Sequence, residues 1–258
     1  MPSHKQVTTK EFAPRAWGAI CELLGGEERI YPGTRYWKDA LIVNLGSPEW
    51  ENKEHNPKDL RGWHVDGDFF IHFLDSPEQG LLVIPVFTDI IKEAGGTMIC
   101  PSSVGKMAQY LYEHPDGVTP QLQPRSGPLP HKPLDLTSLV CKCGDFHEMT
   151  GNVGDVILLH PLMVHSASRN RLRIPRVITN PPISLVESFN FNREDGNYSI
   201  VELKTIKELG EANAHSWRRT APREFVTPDR LKAQEEMKKK ELARMGTKPA
   251  SSGSPVVA

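Results

Sequence analysis

The segment Gly62-Trp63-His64-Val65-Asp66-Gly67-Asp68 places an imidazole and a carboxylate two residues apart in a β-like stretch. Side chains at i and i+2 of a strand share one face, so His64 and Asp66 can reach the same metal ion without backbone distortion. One more histidine completes a set of two imidazoles and one carboxylate, the facial triad of non-haem iron(II). The best candidate is His165, which follows the turn and strand from Val153 to His160. His160 is an alternative third ligand, and Asp68 and His72 share the strand parity of His64. A His-Xaa-Asp tripeptide alone arises often by chance, so its downstream partners carry the weight.

Two histidines and one aspartate leave three positions of an octahedral ion open, enough for a bidentate oxo acid and dioxygen. A second carboxylate on that acid calls for a cation, and the planar fork of arginine pairs with carboxylate through two charge-assisted hydrogen bonds. Arg176 is placed for this role: Ile174, Pro175, Val177 and Ile178 flank it, and an arginine entering so apolar a strand is costly without a partner. Arg169, Arg171 and Arg173 nearby read as a solvated turn. There is no glycine-rich phosphate loop and no nucleophile elbow, so nothing supports hydride transfer or serine hydrolysis. Cys141, Cys143 and His147 fall short of the four ligands of a structural zinc site.

In their order along the chain these residues resemble the phytanoyl-CoA dioxygenase-like branch of the iron(II)- and 2-oxoglutarate-dependent oxygenases. That family shows a His-Xaa-Asp motif, a glycine-rich segment leading into a Pro-Gly-Ser-His turn, a Gly-Asp pair before a strand, and a distal His followed by Asn and then Arg. The matching positions are His64 and Asp66, Gly95-Gly96-Thr97 leading to Pro101-Ser102-Ser103, Gly154-Asp155, His165, Asn170 and Arg176. The resemblance covers about residues 36 to 185 and is closest to the small fungal-type members of secondary metabolism. It implies a mainly β fold, a double-stranded β-helix (jelly roll, cupin-like) with flanking helices. It also implies Fe(II), 2-oxoglutarate and O2 as cofactor and cosubstrates, with His64, Asp66 and His165 on the metal. Arg176 and Thr97 would contact oxoglutarate, with Asn44, Arg61 and Ser166 in its polar surroundings. Related halogenases replace the carboxylate by a small residue, so the presence of Asp66 implies hydroxylation or desaturation of a small organic substrate. Two departures stand out: Pro101-Ser102-Ser103-Val104 lacks the usual Gly and His, and Ala167 stands where many members carry a hydroxyl.

The elements that must position these residues are mostly short. Phe12, Ala16, Ile20, Leu23 and Leu24 recur at near-helical intervals up to Gly25-Gly26, which predicts an amphipathic helix with a glycine stop. Short β-rich runs follow at 39–45, 62–74, 80–87, 97–100, 153–160 and 176–185, without the strand-helix alternation of a doubly wound sheet. A brief helix is expected at 107–113, and the proline-rich stretch 115–133 reads as a long loop. Residues 1–228 form one expected oxygenase domain. Residues 229–244 read as a charged surface helix, and 246–258 as a disordered tail.

Composition agrees with a globular chain: 38% hydrophobic, 24% charged, and a net charge of -1 from 31 basic and 32 acidic residues. So balanced a charge selects neither nucleic acid nor an anionic membrane, which leaves a small-molecule substrate as the expected partner. The polar N-terminus predicts a cytoplasmic protein with reduced thiols. Two rival readings share the site: a cupin-like metal enzyme that does not use oxoglutarate, for which Arg176 has no role, and a silent barrel that binds without reacting.

Overall fold

A computed structural model of the chain describes residues 6–37, 40–127, 130 and 132–246. Its elements run β1 (Val7–Thr8), α1 (Thr9–Phe12), α2 (Pro14–Leu24), β2 (Tyr36–Trp37), β3 (Ile42–Asn44), β4 (Leu81–Pro85), β5 (Thr97–Ile99) and α3 (Ser103–Glu113). There follow α4 (Leu136–Cys141), β6 (His147–Glu148), β7 (Val156–Leu159), β8 (His165–Ala167), β9 (Arg176–Ile178), β10 (Pro182–Ile183), α5 (Ile200–Leu209), α6 (Glu211–Ser216) and α7 (Asp229–Gly246). More residues lie in helix than in strand, so the architecture is mixed, with small antiparallel sheets. The mainly β expectation is met only in part, because the short strands leave much of the core to be covered by helices.

The sheets are β1-β2, β10-β4-β7, β3-β9 and β6-β5-β8. A bridge between Val86 and Ile178 ties β9 to the continuation of β4, and a bridge between His64 and His165 ties the 62–64 segment to β8. Alternation on β4 explains the packing. Leu81 and Val83 enter the large core that holds Trp17 and Ile20 of α2, Met107 of α3 and Val201 of α5, whereas Leu82 and Ile84 enter a second cluster with Ile99, Leu159 and Ile178. β5 divides in the same way, Met98 to the helical side and Ile99 to the second cluster. Both strands are therefore buried on both faces, which is why they read as continuous apolar runs. Each such side chain contributes about 2 kcal/mol by leaving water.

Helix α2 stops where expected, at Gly25 with φ 83°, a left-handed geometry that a side chain disfavours. Helix α3 begins four residues earlier than its expected start, at Ser103. Helix α5 opens on a capping box: the Ser199 side chain accepts from Glu202 N–H while the Glu202 carboxylate accepts from Ser199 N–H. Helix α7 is present and carries no buried side chain. The proline-rich stretch is irregular where described, with Val118 bridged to His72 and Pro124. The expected tail beyond Gly246 lies outside the described residues, and no described helix is long and apolar enough to cross a membrane.

The expected strand 62–74 is the main local departure. Among the described residues it contains only isolated bridges, at His64, Phe70 and His72. Gly67 breaks it: φ is 120°, and a Cβ there would stand 2.6 Å from both His72 Cε1 and Phe70 Cε1. The chain turns sharply just after Asp66, and His72 folds back so that its Nε2–H donates to the Gly67 carbonyl at 2.8 Å.

Candidate metal centre

His64, Asp66 and His165 come together, with one possible ligand atom from each lying within 4.8 Å of the others. Asp66 Oδ1 is 3.4 Å from His64 Nε2 and 3.6 Å from His165 Nε2. Donor atoms each ~2.1 Å from a shared ion are separated by roughly 3.0 to 3.4 Å, depending on geometry, so the three fit one metal with little adjustment.

Backbone pairing sets this arrangement. His64 N–H donates to His165 O and His165 N–H to His64 O, each at 2.9 Å, which clamps the two segments face to face. The rings then lie 4.2 Å apart between centroids. His64 Nδ1 is 2.7 Å from Gly62 O and His165 Nδ1 is 3.0 Å from Met163 O. A carbonyl can only accept, so each Nδ1 carries a proton and each Nε2 is turned toward Asp66, able to donate to the carboxylate when protonated and to offer its lone pair to a metal when not. Fixing the tautomer through the remote nitrogen is how proteins orient metal-binding histidines.

The triad is graded in burial, with His165 deep, Asp66 intermediate and His64 exposed. Burial works to raise the Asp66 pKa, but the hydrogen bonds to His165 and His64 prevail and hold it well below the usual carboxylate range. Burial likewise opposes charge on His64, yet the Asp66 bond, together with the Gly62 carbonyl, raises its pKa. The pocket thus holds Asp66 as an anion and favours positive charge beside it, the condition a divalent cation meets.

His160 is excluded as third ligand. Its Nδ1 accepts from Leu162 N–H at 3.1 Å and its Nε2 lies 3.2 Å from Thr205 Oγ1, so both nitrogens are engaged elsewhere. Asp68 faces Arg230 through two bonds of 2.6 and 2.9 Å. His72 is a buried core histidine. Burial pushes its pKa down to about 4, against about 6.5 for a free imidazole. Because the folded value is the lower one, stability is undiminished above pH 6.5 and declines as pH falls toward 4, by about 3 kcal/mol in all. His160, also near 4, adds a loss of the same sign. Urea unfolding at pH 7 and pH 4.5 is expected to show a smaller difference for His72→Gln than for the parent chain.

Arg176 is 2% exposed on β9 and has no carboxylate partner among the described residues. Its Nε–H donates to Gly95 O at 2.9 Å and Nη1 lies 3.5 Å from Ile42 O; burial lowers its pKa. Thr97 is buried on β5 opposite Ala167, while Ile99 stands opposite His165. Paired residues of antiparallel strands project to one side, so Thr97 shares the face of His165. Arg176 shares its strand face with Ile178, and Ile178 and Ile99 meet in the second core cluster. Arg176, Thr97 and His165 are thus directed toward one interior.

The other suggested contacts do different work. Asn44 donates to Ser168 O at 3.1 Å, and Asn170 donates to Asn44 O at 2.9 Å and Ile174 O at 2.6 Å, so this pair fastens loops. Ser166 projects with Met98 toward the helical core, and Arg61 is exposed. The glycine turn is held from below by Glu148, whose carboxylate accepts from Glu93 N–H, Gly96 N–H and Ser168 Oγ–H.

Sequence reasoning missed Asn180, whose Nδ2 donates to Asp66 Oδ2 at 3.3 Å and so orients the carboxylate. Asn180→Leu is expected to weaken divalent-metal binding about tenfold while leaving thermal unfolding of the metal-free protein nearly unchanged, since the residue is exposed. In front of the triad opens a cleft of about 800 Å³, bordered by His64, Asp66, Ile42, Phe69, Leu82 and Asn180. Arg176 and Thr97 do not border it, and neither does His165.

Compared with protein-family models and with curated proteins, the chain matches none.

Proposed function

We propose that this chain is an Fe(II)- and 2-oxoglutarate-dependent dioxygenase that hydroxylates or desaturates a small organic substrate, and that its small antiparallel sheets are parts of a double-stranded β-helix. One observation carries the reading: a buried guanidinium, without a carboxylate partner among the described residues, shares an interior with a histidine of a two-His-one-Asp cluster that could hold a metal. Burying a lone cation is expensive, and a ligand carboxylate relieves that cost through a two-bonded pair. A cupin-like enzyme without oxoglutarate has no use for this arginine.

Bound iron(II) and oxoglutarate supply the coupling of oxidative decarboxylation, which yields succinate and carbon dioxide, to oxidation of a substrate by dioxygen. His64, Asp66 and His165 hold the metal by one face. Arg176 receives the distal carboxylate of oxoglutarate, with the Thr97 hydroxyl beside it. The apolar side chains around Ile99 and Ile178 exclude water from that side, and the cleft in front of His64 and Asp66 receives the substrate.

The test is anaerobic reconstitution with iron(II) and oxoglutarate. A visible metal-to-oxoglutarate charge-transfer band, followed by succinate release on admission of air, is the expected result. Iron bound with neither band nor succinate overturns the reading.

A further inference from the structure

The cleft contains a polar group that the proposed chemistry does not use. Gln79 is 7% exposed, stands just before β4, and borders both the cleft and the small pocket behind Asp66. Among the described residues its side-chain amide has no hydrogen-bond partner. The amide is not sealed from water, and a ligand that displaces that water without offering a donor and an acceptor in return leaves it unpaired at a cost.

The rest of the wall narrows the ligand. Leu41, Ile42, Phe69, Leu82 and Pro120 are apolar. Each charge on the wall is already answered: Asp66 by the two histidines, and Asp68 and Arg230 by each other. An ionised substrate entering here would lose its water and meet no free counter-charge.

We propose that the cleft selects an uncharged, largely apolar substrate bearing a carboxamide, and that Gln79 reads that group through a reciprocal pair of amide hydrogen bonds. The inference rests on the oxygenase reading only in treating this cleft as the substrate side of the metal. Amide recognition itself needs no metal.

The probes are octanamide, octanoate and octan-1-ol, which share a chain length and differ in the polar head. Dissociation constants come from ligand-observed NMR titration of the full chain, anaerobically with iron(II) and oxoglutarate and again without them. Octanamide is expected to bind about tenfold more tightly than octanoate under both conditions, with octan-1-ol between them. Gln79→Leu should remove the advantage of octanamide over octan-1-ol. Gln79→Glu, nearly identical in shape, should weaken octanamide and guards against a leucine variant that folds poorly. The oxoglutarate charge-transfer band is expected to persist in both variants. Octanoate binding as tightly as octanamide, no binding of any probe, or an amide preference surviving in the Gln79 variants would overturn the proposal. An amide preference in metal-free protein that forms no charge-transfer band would leave this inference standing and remove the oxygenase reading.

Discussion

Asp66→Ala is expected to lower divalent-metal affinity at least about a hundredfold and to bring succinate formation below detection. The magnitude follows from sharing a structural-zinc binding free energy of ~10 to 16 kcal/mol among four ligands, which assigns each about 3 kcal/mol. Asp66 also faces both histidines through one oxygen, so its loss removes the anion that gathers positive charge at the centre. The measurement is cobalt(II) or iron(II) titration alongside thermal unfolding. Metal at a hundred times the parent's dissociation constant should stabilise the parent chain by about 2.7 kcal/mol and the variant by no more than about 0.4 kcal/mol. A variant that gains as much stability from metal as the parent would place the ion elsewhere.

Arg176→Met is expected to separate binding from stability. Loss of a two-bonded carboxylate contact should weaken oxoglutarate about a hundredfold, read from the charge-transfer band. The metal-free protein, in contrast, should keep its unfolding temperature within a few degrees. Methionine leaves the Gly95 and Ile42 carbonyls without this donor, but it also removes a buried charge that no carboxylate among the described residues balances. The opposite pattern, a large loss of stability with oxoglutarate binding intact, would make Arg176 a structural fastener.

The triad was legible because its members carry chemistry in their side-chain types, and the two-residue spacing of His64 and Asp66 survives even though the expected strand does not form. Convergence comes from the bridge to His165 and the turn at Gly67, so three residues that the structure brings together were singled out through a partly wrong local geometry. Helix α2 was readable from its apolar spacing and glycine stop. Helix α5 was missed although Ser199 and Glu202 spell a capping box, and α3 was shortened because Pro101-Ser102-Ser103 was read only as a turn. Asn180 and Gln79 were beyond reach for another reason. Asparagine and glutamine beside proline or glycine are common in loops, and their roles depend on contacts made far along the chain. Strand content was overestimated because apolar runs such as β4 do not reveal that helices cover one of their faces.

The reciprocal hydrogen bonds between His64 and His165 join two residues roughly a hundred positions apart, and the pairing of β8 with β5 holds His165 from its other edge. Between Glu113 and Leu136 the chain is anchored by buried Val118 and Leu122 and by the bridge from Val118 to His72, while Pro120 reaches the mouth of the cleft. Substitution at Pro120 can therefore reshape the mouth of the cleft while the paired backbone keeps His64 and His165 together.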